Sequence, residues 1–263
     1  MATVKDISEY FDTKIPNSMK MDFDNVGFLV GDGSREVHKA LVVLDITDEV
    51  IEEAVAYGAD LIVAHHPLMF STKNASTEDP IGRKLVRILG NGMSAICLHT
   101  NLDAVDGGVN DALMEVLGIS HEGIIEPFGT ANDGKPYGMG RYGTVAECSL
   151  DSFLRHCKDA LCCNGLRYID GGKPVRRVAV CGGSGSSMLN DVAALGCDTF
   201  VTSDVKHNGF LDARELGLNL IDAGHYSTEN VVVPVLERML NERYPEISTQ
   251  ISRCHKQPEQ YFV

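Results

Sequence analysis

Gly58-Ala-Asp-Leu-Ile-Val-Ala-His-His66 opens on a turn-forming glycine, runs through an unbroken apolar segment and stops at two adjacent imidazoles before Pro67. A short apolar run between turn residues reads as a strand buried on both faces, the kind that parallel sheets contain. Inside a strand, neighbouring histidines would face opposite ways and at least one would need a buried partner; at a strand's end both can turn toward one site. The stretch aligns without gaps on Gly196-Cys-Asp-Thr-Phe-Val-Thr-Ser-Asp204. Working outward, Ala40-Leu-Val-Val43 falls on Val178-Ala-Val-Cys181, and Val50-Ile51 on Met188-Leu189. The chain therefore reads as a duplicated α/β unit.

Strand and helix alternate around these anchors. Lys39 to Leu44 reads as a strand, and Thr47 to Ala56 as a helix capped by its threonine and ended by Gly58. A helix over Asp79–Gly90, a strand over Ser94–Leu98 and a helix over Gly108–Leu117 follow, with an amphipathic helix at the N-terminus. In the second half Tyr137–Cys148 reads as a strand, Ser149–Cys162 as a helix, and about Thr228–Arg243 as one long helix. The expected fold is α/β, two related domains with largely parallel sheets and a metal site at strand C-terminal ends between the domains. The turn-rich stretch Pro127-Phe-Gly-Thr-Ala-Asn-Asp-Gly-Lys-Pro136 marks the boundary. It gives a first domain of residues 1–126 plus 222–263, with most ligand candidates, and a second of residues 127–221.

Ligand-type side chains gather at three strand ends. His65 and His66 form the first group; His99-Thr-Asn-Leu-Asp103 follows the run Ser94–Leu98; Asp222-Ala-Gly-His-Tyr-Ser-Thr-Glu229 follows Leu218–Ile221. His225 and Glu229 stand four apart, on one face of a helix beginning at Gly224. A lone histidine pair is an ordinary polar strand end, but three such ends require a common explanation.

Composition narrows the partners. The chain has 263 residues, 44% hydrophobic, and a formal net charge of -14, which argues against nucleic acid as a general partner. A small nucleotide remains compatible, since bound cations reverse the local field. The eight cysteines are irregularly spaced without a CxxC pair, so free thiols in a reducing cytoplasm are expected, and no apolar run approaches a membrane span.

The motifs Asp24-Asn-Val-Gly27, Leu44-Asp-Ile-Thr47, Ala64-His-His-Pro67, His99-Thr-Asn-Leu-Asp103 and Gly224-His-Tyr-Ser-Thr-Glu229, in that order and spacing, resemble the NIF-three-like metalloproteins, the GTP cyclohydrolase 1 type 2 homologues. Phe23 stands where that family usually has tryptophan. The resemblance runs nearly end to end and implies two divalent cations (Zn, Fe, Mn or Ni) held by His65, His66, Asp103, His225 and Glu229. It also implies a homohexamer, and the larger domain that some relatives insert between the halves has no room near residues 127–136.

On that ligand set Glu229 is the expected bridge, and a cation pair about 3.5–4 Å apart activates water and polarises a substrate, making hydrolysis the leading reaction class. His99 is a candidate acid or base, or a support that orients a ligand. Ser203, Asp204 and Lys206, at the equivalent strand end of the second half, are candidate substrate contacts, with a turn-forming role weighing equally. Gly182-Gly-Ser-Gly-Ser-Ser187 reads as a phosphate cradle or, with more weight, as a turn permitting close packing. His38, His121, His156 and His255 lack ligand-type neighbours in sequence. The resemblance implies ring opening of GTP with formate release. The alternatives are a non-catalytic metal-binding, interaction or metal-delivery protein, and a phosphoesterase.

Overall fold

A computed structural model describes residues 1–71, 74–131 and 134–262. In chain order the first elements are α1 (Val4–Lys14), β1 (Gly27–Val30), β2 (Lys39–Val43), α2 (Asp48–Tyr57), β3 (Leu61–Ala64), α3 (Pro80–Gly90) and β4 (Ser94–Cys97). Then come α4 (Thr100–Ala104), α5 (Val109–Val116), β5 (Ser120–Thr130), β6 (Pro136–Cys148), α6 (Leu150–Ala160), β7 (Arg167–Ile169) and β8 (Val175–Val180). The chain continues through α7 (Leu189–Ala194), β9 (Thr199–Thr202), α8 (His207–Glu215), β10 (Asn219–Asp222), α9 (His225–Glu229), α10 (Val233–Arg243) and β11 (Ser248–Ile251).

The fold is mixed α/β with two sheets, each in its own compact unit. The first unit is residues 1–102 with 233–256. Its strands lie in the order β1-β4-β3-β2-β11, parallel except for β1 against β4. Every residue of β3 and β4 is buried, as expected of strands covered on both faces. Leu41, Val43, Ile51, Ile62, Leu85 and Ile88 pack in one core, and α10 lies against β11 and β2.

The second unit is residues 103–232 with 257–263. Its order is β5-β6-β8-β9-β10-β7. Here the expectation of a largely parallel sheet fails: β8, β9 and β10 run parallel, but β5–β6, β6–β8 and β7–β10 are antiparallel. β5 ends at Thr130 and β6 begins at Pro136, and paired strands joined by so few residues run antiparallel. The expected boundary stretch 127–136 is the end of that hairpin, with Asn132 and Asp133 outside the described residues. The unit limits accordingly differ from the expected 126/127 and 221/222, because β5 belongs with β6 and α5 packs on β6 and β8.

The duplication is visible bond by bond. One constant offset in numbering carries the register pair Ala40–Leu61 onto Val178–Thr199. Gly58 and Gly196 both end their helices at positive φ, 74° and 73°. Asp60 accepts the N–H groups of His38 (2.8 Å) and Lys39 (3.1 Å), and Asp198 those of Arg176 (3.1 Å) and Arg177 (2.7 Å). Each aspartate ties the entry of one parallel strand to the next.

The expected helix over residues 228–243 is broken. α9 ends at Glu229, a 3-10 turn covers Asn230–Val232, and α10 begins at Val233. Pro234 has no N–H to donate and its ring opposes the carbonyl four residues back, so a continuous helix is disfavoured there. β11 is a strand that the sequence did not disclose. No described helix is long and apolar enough to cross a membrane, and the eight cysteines are free thiols.

Candidate metal centre

In the first unit the sheet delivers three histidines to the C-terminal edge of β3 and β4. Beyond Ala64 the pairing continues, with His65 N–H donating to Val43 O (3.3 Å) and His66 N–H to Leu44 O (2.9 Å). His65 is fully buried and His66 and His99 are half-buried. The ring centroids are 4.9 Å apart for His65–His66, 5.3 Å for His65–His99 and 5.5 Å for His66–His99. One nitrogen from each ring lies within 4.8 Å of one from each of the others.

The protein sets the same tautomer in all three rings. His65 Nδ1 meets Leu98 O at 2.7 Å, His66 Nδ1 meets Asp45 Oδ1 at 2.6 Å and His99 Nδ1 meets Asp24 Oδ1 at 2.9 Å. A carbonyl or ionised carboxylate only accepts, so Nδ1 carries the proton and the lone pair of each neutral ring sits on Nε2. Imidazoles that ligate metals are held this way.

Both carboxylates are themselves fixed. Asp24 is buried and accepts from Thr100 N–H (3.0 Å), Thr100 Oγ1–H (2.5 Å) and Asn25 N–H (2.7 Å). Burial pushes its carboxyl up, but the bonds from His99 and Thr100 prevail and hold it well below the usual range. Asp45 behaves alike, with burial outweighed by His255 and His66. His255 Nε2 lies 3.0 Å from Asp45 Oδ2, so the ring that had no ligand-type company in sequence acquires it through β11.

In the second unit, Gly224 at φ 84° turns the chain from β10 into α9. His225 Nε2 lies 2.8 Å from Glu229 Oε2, and its Nδ1 donates to Asp204 Oδ2 at 2.7 Å. The hydrogen bond to Glu229 outweighs burial, and with Asp204 it raises the imidazole to about 9. His225 is thus an imidazolium at neutral pH, and a metal cation there would take the place of its proton. Buried Glu229 also comes within 4.8 Å of the buried carboxylate of Asp103.

The glycine loop after β8 packs closely on its neighbours, Glu229 among them. A Cβ on Gly183, at φ 63°, would overlap Glu229 Oε1, and one on Gly182 would lie 2.7 Å from Val109 Cγ1. The amides of Gly182, Gly183 and Gly185 donate to Asn110 Oδ1 (3.0 Å), Thr228 Oγ1 (3.1 Å) and Thr202 Oγ1 (2.9 Å). These three are spent within the protein, which favours the close-packing reading over a phosphate cradle. Arg141, buried at 2% exposure, sets the turn after Asp103: it donates to Ala104 O (3.2 Å) and Val105 O (3.1 Å) while paired with Asp111.

Of the candidate substrate contacts, Asp204 and Lys206 line a cavity of about 800 Å³ with Ser184, Ser186, Ser187 and Asn190. Ser203 is fully buried, its N–H donating to Gly183 O (2.9 Å). Asp204 is engaged with His225, and its φ of 54° is one that aspartate tolerates better than most residues. The histidine-bonding roles of Asp24, Asp45 and His255 were missed; the two sequence signals were the acids of the Asp24-Asn-Val-Gly27 and Leu44-Asp-Ile-Thr47 motifs.

The model of the Duf34/NIF3 (NGG1p interacting factor 3) family matches residues 2–258. A Clostridium perfringens protein named GTP cyclohydrolase 1 type 2 homolog is 33% identical over 262 residues, 98% of this chain and 99% of that one. A Bacillus subtilis protein of the same name is 26% identical over 360 aligned positions covering 96% of each chain, so it carries residues this chain lacks. Among solved structures, a Bacillus cereus protein related to NIF3 has a TM-score of 0.92 at 24% identity, covering 100% of this chain and 99% of that one. A Staphylococcus aureus protein has a TM-score of 0.91 at 28% identity, covering 99% of both. Matched over nearly its whole length in sequence and in fold, the chain belongs to the Duf34/NIF3 family.

Proposed function

We propose that this chain is a divalent-metal-dependent hydrolase, and that His65 and His66 of the first unit and Asp103, His225 and Glu229 of the second are the residues that would hold two cations. The observation that carries the reading is the common tautomer of His65, His66 and His99, each with Nδ1 committed to a protein acceptor. Bound cations supply Lewis acidity and activate water at neutral pH. Asp45 and Leu98 O orient His66 and His65, and Asp204 orients His225.

His99 is the proton-moving group. Asp24 holds its Nδ1–H and leaves Nε2 to take a proton from water and return it to the leaving group. Phe23 and Phe70 present exposed rings 6.3 Å apart, with Phe70 5.9 Å from His99. Such faces suit a planar heterocycle; within the second unit, the cavity that Lys206 lines with Ser184, Ser186 and Ser187 suits a polar or phosphorylated group. Guanine ring opening in GTP with formate release fits these features and the name carried by the relatives. The homohexamer and the cytoplasmic setting belong to the same proposal; light scattering gives the oligomer directly.

Formate release from GTP by protein reloaded with Mn, Zn or Fe tests the assignment, beside a His99→Gln variant. Metal-dependent formate from the wild type, reduced about 10²–10⁴-fold in the variant at equal metal content, is expected. No formate from the metal-loaded wild type overturns the GTP assignment and turns the search to phosphoesters and to metal delivery.

A further inference from the structure

Asp45 has two imidazole partners. Oδ1 accepts from His66 Nδ1–H at 2.6 Å and Oδ2 from His255 Nε2–H at 3.0 Å. His255 arrives on the segment after β11, and that segment is strapped down along its length. Ser252 N–H donates to Val42 O at 2.9 Å, continuing the pairing of β11 with β2. Glu53 of α2 then accepts from Gln250 Nε2–H (3.0 Å), Ser252 Oγ–H (2.6 Å), Arg253 N–H (2.9 Å) and Cys254 N–H (3.3 Å). The His255 side chain ends 7% exposed while the Asp45 side chain it caps is 40% exposed.

We propose that His255 is a positioning residue of the metal centre: by occupying Oδ2 of Asp45 it fixes the carboxylate so that Oδ1 holds His66 in the tautomer whose Nε2 is the ligand atom. This rests on the reading of His66 as a metal ligand. The terminal torsion of an aspartate is broad, and a half-exposed carboxylate with one donor turns toward water. A second donor on its other oxygen removes that freedom. The strap, tied to α2 by Glu53 and to β2 by Ser252, therefore completes the centre from a distant part of the sequence. Removing a partner that orients a metal-ligating histidine costs about 10–100-fold in affinity. His255 acts one bond further out, so a loss of about tenfold is expected.

The test uses the full chain. Zinc affinity is measured by competition with a chromophoric chelator, and the His66 tautomer by ¹⁵N NMR of histidine-labelled, zinc-free protein at mildly alkaline pH. Wild-type His66 should carry its proton on Nδ1. His255→Ala should weaken zinc by about tenfold and mix the tautomers, and His255→Gln, whose amide can still donate to Asp45, should restore most of both. Wild-type affinity and tautomer in His255→Ala, whatever its melting temperature, overturn the proposal, as does a wild-type His66 protonated on Nε2. If His255→Ala fails to fold, the Gln variant and the wild-type tautomer still decide. A wild type that binds no zinc refutes the metal reading instead, and the tautomer measurement judges the positioning independently.

Discussion

On the proposed ligand set, His225 would couple metal affinity to pH. Its folded-state value is raised from 6.5 to about 9 by Glu229 and Asp204, so its pairing stabilises the metal-free protein fully below pH 6.5, and that contribution is lost as pH rises through 9. A metal bound as proposed would have to displace the same proton. Zinc affinity should therefore climb about tenfold per pH unit below 9 and level off above it, as isothermal titration across that range would show; a flat profile would remove His225 from the ligand set. Gly183→Ala should be harmful out of proportion to its size, because positive φ alone costs about 1–2 kcal/mol and the new methyl would overlap Glu229. A lower melting temperature together with weaker zinc binding is the expected result. At this scale the sequence displayed the ligand types plainly, because imidazoles and carboxylates at strand ends stand out against apolar runs. It concealed Asp45, Asp24 and His255, whose roles lie in hydrogen bonds between segments far apart in the chain.

Among the elements, the repeated β-α-β unit was legible because β3 and β9 are fully buried and the helix before each ends at a glycine. Asp60 and Asp198, which lie inside the aligned stretches, hold matching places in the two sheets. Replacing either with alanine hands two backbone N–H groups over to water, a loss of about 0.5–1.5 kcal/mol per bond that chemical denaturation would register. Asp198→Ala should cost about as much as Asp60→Ala; a large inequality would show that the two strand entries are not equivalent. The antiparallel edges were not legible, since β7 is short and largely exposed and carries no apolar signal. The break before α10 could have been read from Pro234, but the apolar run Val231-Val-Val233 masks it.

For the whole molecule, cations that bind the folded chain stabilise it by mass action, by about 2.7 kcal/mol at a hundredfold excess over Kd. Chelation should lower the melting temperature reversibly, and reloading should restore it. The buried Arg141 offers a contrast that is independent of metal. It is satisfied by Asp111 and by the carbonyls of Gly138, Gly140, Ala104 and Val105, and Asp111→Ala, which leaves that charge unpaired, should destabilise by about 3–5 kcal/mol with or without zinc. The most direct test of the central reading is the metal content of the purified chain, reloaded with zinc or manganese, desalted and measured by mass spectrometry beside a Glu229→Gln variant of verified fold. Two ions per wild-type chain and a marked loss in the variant are predicted; no retained metal, or equal metal in the two proteins, would contradict it.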